Sequence, residues 1–408
     1  MRLLHTADWH LGKRLEQVSR LDEQRAALDE LCGIADREAV DAVLVAGDLF
    51  DQPNPPVEAV ELCYRTLRRL SANGRRAVIV IAGNHDSPDR IEAPDPLARA
   101  CGIFFAGYPD SQIPPLELET GLKVLHSEPG FAAFQLPGHP APLRLLLTPY
   151  ANELRLRKYL GQDDPDAELR NLLRQRWAEL ADRHCDSQGV NVLMAHLFCM
   201  QRGGERPEEP EDEKPILTVG GAREIYTDLI PAQIQYTALG HLHRFQVVDE
   251  RPGPVVYSSS LLAYSMSEAG QTKYVCIAEA APGQPVQLRP IPLESGRPLH
   301  RVRFENVPDA LEWLRAHPQA LVELTLASDE YLEAAQRKAL YEAHPGIVTL
   351  IPVLRKPETT AAVRAASIDL TQDMESLFAE YFRHRHGQPP SASMLDLFRE
   401  VLAEDPEA

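Results

Sequence analysis

The stretch that most restricts the fold of this chain is residues 42–51, AVLVAGDLFD. Small and β-branched aliphatic residues run straight into Gly47-Asp48, followed by Leu49-Phe50-Asp51. A short continuous apolar run closed by glycine reads as a strand buried on both faces, the kind found in parallel sheets. Asp48 then stands at the carboxyl edge of that sheet, which is where open α/β sheets bind ligands. A carboxylate has two oxygens and can bridge two cations, which an imidazole at the same place cannot.

The surrounding pattern supplies the rest of a sheet. Residues 2–8 and 77–83 read as strands on either side of that run in sequence. Apolar residues recur at helical spacing in between, at Leu21, Leu28, Leu31 and Ile34 and at Val60, Cys63, Leu67 and Leu70. This β-α-β-α-β order implies parallel strands with right-handed crossovers. Their ends carry Asp8-Trp9-His10, Gly47-Asp48 and Gly83-Asn84-His85-Asp86. Further on, residues 190–195 run into His196 and residues 236–240 into His241-Leu242-His243, with strands at 255–259 and 273–278 completing a second set. Two half-sheets facing each other predict an α/β, four-layer sandwich over residues 1–280. Residues 281–297 read as a Pro-rich linker, and residues 298–356 repeat the alternating pattern as a small α/β domain. Within 370–408, residues 374–385 and 393–403 read as two amphipathic helices that dock a partner helix, the alternative being that they pack on the chain's own small domain.

Composition narrows the setting. The chain has 408 residues, no apolar run of membrane-spanning length and a charged residue second in line, so neither a membrane span nor a signal peptide is expected. The six cysteines form no close pair, which suggests reduced thiols in a cytoplasmic protein. A formal charge of −18 weighs against a nucleic-acid partner, yet bound cations would neutralise the local field. Lys13-Arg14, Arg68-Arg69 and Arg75-Arg76 gather basic charge in the N-terminal half, and acidic residues crowd 205–213.

The polar groups at strand ends are Asp8, His10, Asp48, Asn84, His196, His241 and His243. Strand alternation would aim Asp8 with His10, and His241 with His243, to one side. Mixed imidazole and carboxylate donors suit first-row divalent metals better than calcium. Seven donors exceed one tetrahedral ion and match two that share Asp48. Two such ions about 4 Å apart clamp the attacking and departing oxygens at phosphorus. A lone strand-end histidine is more often structural, and an aspartate after a strand is often a helix cap; the weight lies in the coincidence. His85 would stabilise the phosphate or protonate the leaving alkoxide. Asp51 would hold the His85 ring through a carboxylate–imidazole bond. Asp86 would bond loop amides.

DWH at 8–10, GDLFD at 47–51, GNHD at 83–86, His196 and GHLH at 240–243 resemble the calcineurin-like metallophosphoesterases. The opening MRLLHTADWHLGKRL, together with ALGHLHR and the two C-terminal modules, is similar more narrowly to the Mre-type family that provides the SbcD component of bacterial SbcCD nucleases. The resemblance implies a nuclease with two manganese ions, 3′→5′ exonuclease activity on double-strand ends, endonuclease activity on single strands, and action on hairpins in DNA repair and recombination. It implies an SbcC-type ABC ATPase partner with a long coiled coil. It also implies a homodimer through residues 56–72 and 91–100, giving a heterotetramer associated with the nucleoid. Asp8, His10, Asp48 and His243 would hold one ion; Asp48, Asn84, His196 and His241 the other; His85 would be catalytic. Residues 298–356 would cap DNA. The chain departs from archaeal relatives at Asp51, where they carry histidine, and at Ser258-Ser259-Ser260, where relatives show Gly-Ser near the DNA path. A metallophosphoesterase for small phosphodiesters or phosphoproteins, and a scaffold that keeps metal only for folding, are the competing readings.

Overall fold

A computed structural model describes residues 1–160, 164–207, 224–328, 332–354 and 374–386, with isolated positions 390, 391, 394, 395 and 398 beyond. Most of the acidic loop, and most of the second C-terminal helix expected at 393–403, therefore lie outside the described residues.

Two sheets face each other. The first orders its strands Gln287–Leu293, Lys273–Glu279, Arg2–Thr6, Ala42–Ala46, Ala77–Ile81 and Ile103–Ala106. The last four run parallel. The second orders Gln246–Asp249, Val255–Tyr257, Tyr236–Gly240, Val190–His196, Leu143–Thr148, Phe131–Gln135 and Lys123–Glu128. Its central strands are also parallel, in register from Leu143 to Tyr257. Leu3, Leu44, Ile79 and Phe104 of the first sheet share one buried cluster with Phe134, Leu145, Val192 and Tyr236 of the second. The alternate residues Val43, Val45, Val78 and Val80 face Leu28, Leu31 and Leu67 of the helices Leu21–Arg37 and Val57–Leu70. On the far side, Leu169, Leu173 and Trp177 of the helix Pro165–His184 cover Leu146 and Leu193. This is the four-layer order. Each fully buried Leu or Val contributes about 1.5–3 kcal/mol to it, and both parallel cores open at the same rim.

Two expectations need correction. The strand Lys273–Glu279 pairs antiparallel with Arg2–Thr6, so it belongs to the first sheet and not to the second. The stretch 281–297 is not only a linker, because Gln287–Leu293 pairs antiparallel with Lys273–Glu279. Pro290 and Pro292 made it look irregular; on an edge strand proline removes no needed ladder bond.

Beyond the sandwich, the strands Leu299–Phe304, Leu321–Ser328 and Ile347–Leu354 form a third sheet, covered by the helices Val307–Ala316 and Ala334–Ala343. Leu314, Leu324, Leu326 and Leu340 give it a core of its own. Leu299 and Leu321 also share a small cluster with Leu15 and Met266 of the sandwich. Among the residues after 354, Met374–His386 is a helix, and its Phe378 stacks on Phe398 at 4.2 Å. All six cysteines are free thiols. No helix among the described residues is long and apolar enough to cross a membrane.

Candidate metal centre

The rim is built from loops zipped side by side. Asp8 N donates to Gly47 O (3.0 Å), His10 N to Asp48 O (3.0 Å) and Leu11 N to Leu49 O (2.9 Å). The strands themselves stop earlier, at Thr6 and Ala46. Asp8, His10, Asp48 and His241 have φ of 52°, 44°, 49° and 103°. Strand alternation is therefore not what aims Asp8 with His10 or His241 with His243; left-handed turns do it. Each such residue costs about 1–3 kcal/mol, and strain of this kind clusters at functional sites. Two glycines are required by close approach. A Cβ on Gly47 would lie 2.1 Å from His196 Nδ1, and one on Gly240 would lie 1.9 Å from the Ala46 carbonyl oxygen.

Asp8, His10, Asp48, His196 and His243 are all buried. Ligand atoms of Asp8, His10 and His243 lie within 4.8 Å of one another, as do those of Asp8, Asp48 and His196. Asp48 Oδ2 reaches both groups, 3.2 Å from His196 Nε2 and 3.8 Å from His10 Nε2. Asn84 Oδ1 lies 2.9 Å from His196 Nε2 and 3.0 Å from His241 Nδ1. The structure thus brings all seven sequence-read donors together.

Their hydrogen-bond chemistry fits a cation. His196 Nδ1 donates to the Ala46 carbonyl at 2.8 Å, so in the neutral ring Nε2 carries a lone pair. That lone pair faces the Asn84 and Asp48 oxygens, which offer lone pairs of their own. Likewise His10 Nε2 and His243 Nε2 stand 2.9 Å apart, where at most one proton fits between them. Asp8 Oδ2 is buried and accepts no hydrogen bond among the described residues. Converging lone pairs repel unless a proton or a metal ion sits among them. Without metal the protein uses protons. Burial would lower His196, but Asp48, Asp8 and the Ala46 carbonyl outweigh it and lift it to about 9. Burial raises Asp8 above the usual carboxylate range. At Asp48 burial pushes the same way, but His196, His10 and His85 outweigh it and hold the carboxyl below that range. A divalent cation would replace those protons.

His85 stands beside this set, its ring centroid 4.9 Å from that of His10. Its main-chain N–H donates to Asp48 Oδ1 at 2.8 Å. The partner of its Nδ1 differs from expectation: the main-chain carbonyl of Asp51 accepts at 2.8 Å, in place of the carboxylate. The Asp51 carboxylate pairs with Lys13 Nζ at 3.2 Å, stands 4.0 Å from His10 Nδ1 and keeps an oxygen within 4.8 Å of a ring nitrogen of His85. A carbonyl only accepts, so His85 Nδ1 keeps its proton and Nε2 is the exchangeable position. Asp86 takes the part read from sequence, accepting from the main-chain N–H groups of Leu49, Phe50 and Gly83. Ser258, Ser259 and Ser260 are buried, which removes them as a surface contact for DNA.

Several residues around the centre carry no signal in the sequence. Buried Arg155 donates to the carbonyls of Gly83, Asn84 and Asp86 and so fixes the loop bearing Asn84 and His85. Gln24 donates to the His10 carbonyl at 2.7 Å and to the Tyr264 hydroxyl at 3.1 Å. Glu268 lies beside His243. Its S-x-x-E spacing from Ser265 could have marked a helix start, but nothing local could have marked the histidine it faces.

The calcineurin-like phosphoesterase family profile matches residues 1–218. The SbcD component of the nuclease SbcCD from Bacillus subtilis (strain 168) is 35% identical over 414 residues, covering 99% of this chain and 98% of that one. Its namesake from Rhodobacter capsulatus is 35% identical over 400 residues, covering 94% of each. Buried donors around Asp48, the four-layer sandwich and full-length likeness to two nuclease components converge: the chain belongs to the calcineurin-like phosphoesterases, in the SbcD family, and is a metal-dependent nuclease.

Proposed function

We propose that this chain is the two-manganese nuclease component of a complex with an SbcC-type coiled-coil ATPase, cutting DNA at double-strand ends and hairpins. The observation that carries this reading is the position of Asp48, with one carboxylate oxygen reaching both His196 and His10. Asp8, His10, Asp48 and His243 would hold one ion; Asp48, Asn84, His196 and His241 would hold the other. Bound there, two divalent cations supply Lewis acidity at phosphorus.

The chain's own groups do the rest. Arg155, on the carbonyls of Gly83 and Asp86, and the Asp86 carboxylate, on the Gly83 N–H, brace the 83–86 loop, so the amide of Asn84 and the ring of His85 are set before substrate arrives. His85, anchored at Nδ1, holds a proton at Nε2 for the departing oxygen. A cleft of about 560 Å³ runs from Asp51 past Lys13, Arg14 and Tyr264 to Arg301 and Thr349 of the small domain. It is lined by Lys13, Arg14 and Arg301 together with Glu16, Asp51 and Glu323, and its span from the rim to the small domain supports a capping part for residues 298–356. Residues 370–408 would grip the ATPase. Exposed Val57 and Leu97, on the helices expected to pair, support a homodimer and hence a heterotetramer.

The test is hydrolysis of linear duplex, closed circular DNA and a chromogenic phosphodiester with manganese. Cleavage of the linear duplex is expected. Turnover of the chromogenic compound alone would favour a small-molecule phosphoesterase.

A further inference from the structure

Glu268 and Lys273 form an ion pair that the chemistry above does not use. Both are almost fully buried, at 2% and 6% exposure, and their charged ends are in direct contact. A pair like this is weak evidence for stability, since apolar side chains of similar volume often serve as well. What surrounds it is specific. Lys273 Nζ donates to the main-chain carbonyl of His243 at 2.8 Å. Glu268 Oε1 lies 3.5 Å from His243 Nδ1 and accepts from the main-chain N–H groups of Tyr264 and Ser265, each at 3.0 Å. The opposite ring nitrogen, His243 Nε2, faces His10. The pair therefore holds His243 by its carbonyl and stands against its ring on the side away from the donor cluster.

The other side of the centre is backed differently. His196 has its outer nitrogen on a neutral carbonyl, that of Ala46. A carboxylate behind a ligating imidazole fixes the tautomer and raises the basicity of the ligand nitrogen, and losing such a partner typically costs about 10–100-fold in metal affinity.

We propose that Glu268, seated by Lys273, is a positioning residue for His243: it keeps the proton on Nδ1 and turns Nε2 toward the cation on the Asp8–His10 side. The inference rests on the two-cation reading of the centre. The Glu268 carboxylate is in direct contact with the Lys273 ammonium and accepts two main-chain N–H groups, surroundings that suit a charged acceptor. The two cation positions then differ in kind. The outer nitrogen of His243 has a carboxylate outside the donor set at 3.5 Å, whereas that of His196 donates to the Ala46 carbonyl and has as its charged neighbour only Asp8, itself a donor, at 4.0 Å.

The experiment is a calorimetric manganese titration of the metal-free full-length protein, comparing wild type, Glu268→Gln, Lys273→Met and His243→Asn. Glutamine keeps the shape of Glu268 and an acceptor for the two amides while removing the charge. E268Q is expected to weaken, by about 10–100-fold, the same binding event that His243→Asn removes, and to leave the other event as in wild type. The second readout is the imidazole ¹⁵N spectrum without metal. Wild type should show His243 protonated at Nδ1, and E268Q should show a mixture of tautomers. Unchanged binding in E268Q, or equal weakening of both events, would overturn the proposal. If E268Q fails to fold, K273M carries the same test through the carbonyl of His243. A wild-type protein that takes up only one cation, or none, would bring down the two-cation reading itself, and this inference with it.

Discussion

Among the described residues, two places gather histidines and carboxylates at metal-ligand spacing, and they are built on opposite terms. One is the rim centre around Asp48. The other is His126, Glu128 and His184, at the outer edge of the second sheet. In the edge cluster the carboxylate already has cationic or N–H partners. Glu128 accepts from His184 Nε2 at 2.6 Å and from Arg183 at 2.9 Å, and the His184 ring stacks on Phe131 at 4.4 Å. At the rim, His196 Nδ1 donates to the Ala46 carbonyl, so the neutral ring turns a lone pair on Asp48 Oδ2, and an added proton or cation is needed to reconcile the two. Asp8 Oδ2 accepts nothing among the described residues. The difference teaches that donor spacing alone does not make a metal centre. An arginine already on the carboxylate satisfies it; buried lone pairs turned on one another leave a place for added positive charge.

The sharpest way to break that contrast is to remove the shared oxygen. Asp48→Asn is expected to reduce manganese stoichiometry from two to at most one per chain, and to lower DNA cleavage on the order of 10³-fold. Metal analysis after desalting, paired with a nuclease assay, reads both. Two ions retained in this variant would show that Asp48 bridges nothing. Next in size, His85→Ala should keep full metal content while cleavage falls about 10²–10⁴-fold; loss of metal together with activity would make His85 a ligand.

A smaller effect separates histidines by their partners. His5 is as buried as His196, but it bridges the sheets between the Tyr236 hydroxyl (2.9 Å) and the Leu239 carbonyl (3.1 Å), with no carboxylate among the described residues paired with it. Burial pushes it down to about 3, where the Leu239 carbonyl only partly opposes the shift. A histidine depressed in the folded state contributes stability above its unfolded value near 6.5, and that contribution is lost as pH falls toward 3. From about pH 7 to about pH 5 wild type should lose about 2 kcal/mol more than His5→Gln, read by urea unfolding in chelator. An equal loss in both proteins would mean that His5 charges in the fold. Smallest of all, His184→Ala should leave metal stoichiometry and cleavage unchanged and cost at most about 1 kcal/mol, the usual scale of a side-chain pair that solvent still reaches. A lost ion in that variant would erase the distinction between the two clusters.

Much of the rim was legible because its donors follow aliphatic runs. A buried strand announces itself by composition, so the residue where it stops is marked as well. That logic found Asp48, Asn84, His196 and the 240–243 pair of histidines. It led to the residues near 8–10 that the fold brings to the rim, but alternation is not what brings them there, since it is a property of extended backbone and Asp8 and His10 are left-handed. The sheet assignment of Lys273–Glu279 was not legible, because an antiparallel edge partner can join either sheet with the same apolar pattern. Glu268 and Arg155 were beyond reach for a related reason. Their effect lies in pairing with residues far away in the chain, His243 through Lys273 and the 83–86 loop, and no local period records such a pairing.

The most direct measurement is anomalous diffraction from crystals of the full-length protein grown with manganese. Two peaks about 3.5–4 Å apart, one on each side of the Asp48 carboxylate, are expected. A single peak, peaks remote from Asp48, or density at His126 and His184 in their place would contradict the two-cation centre.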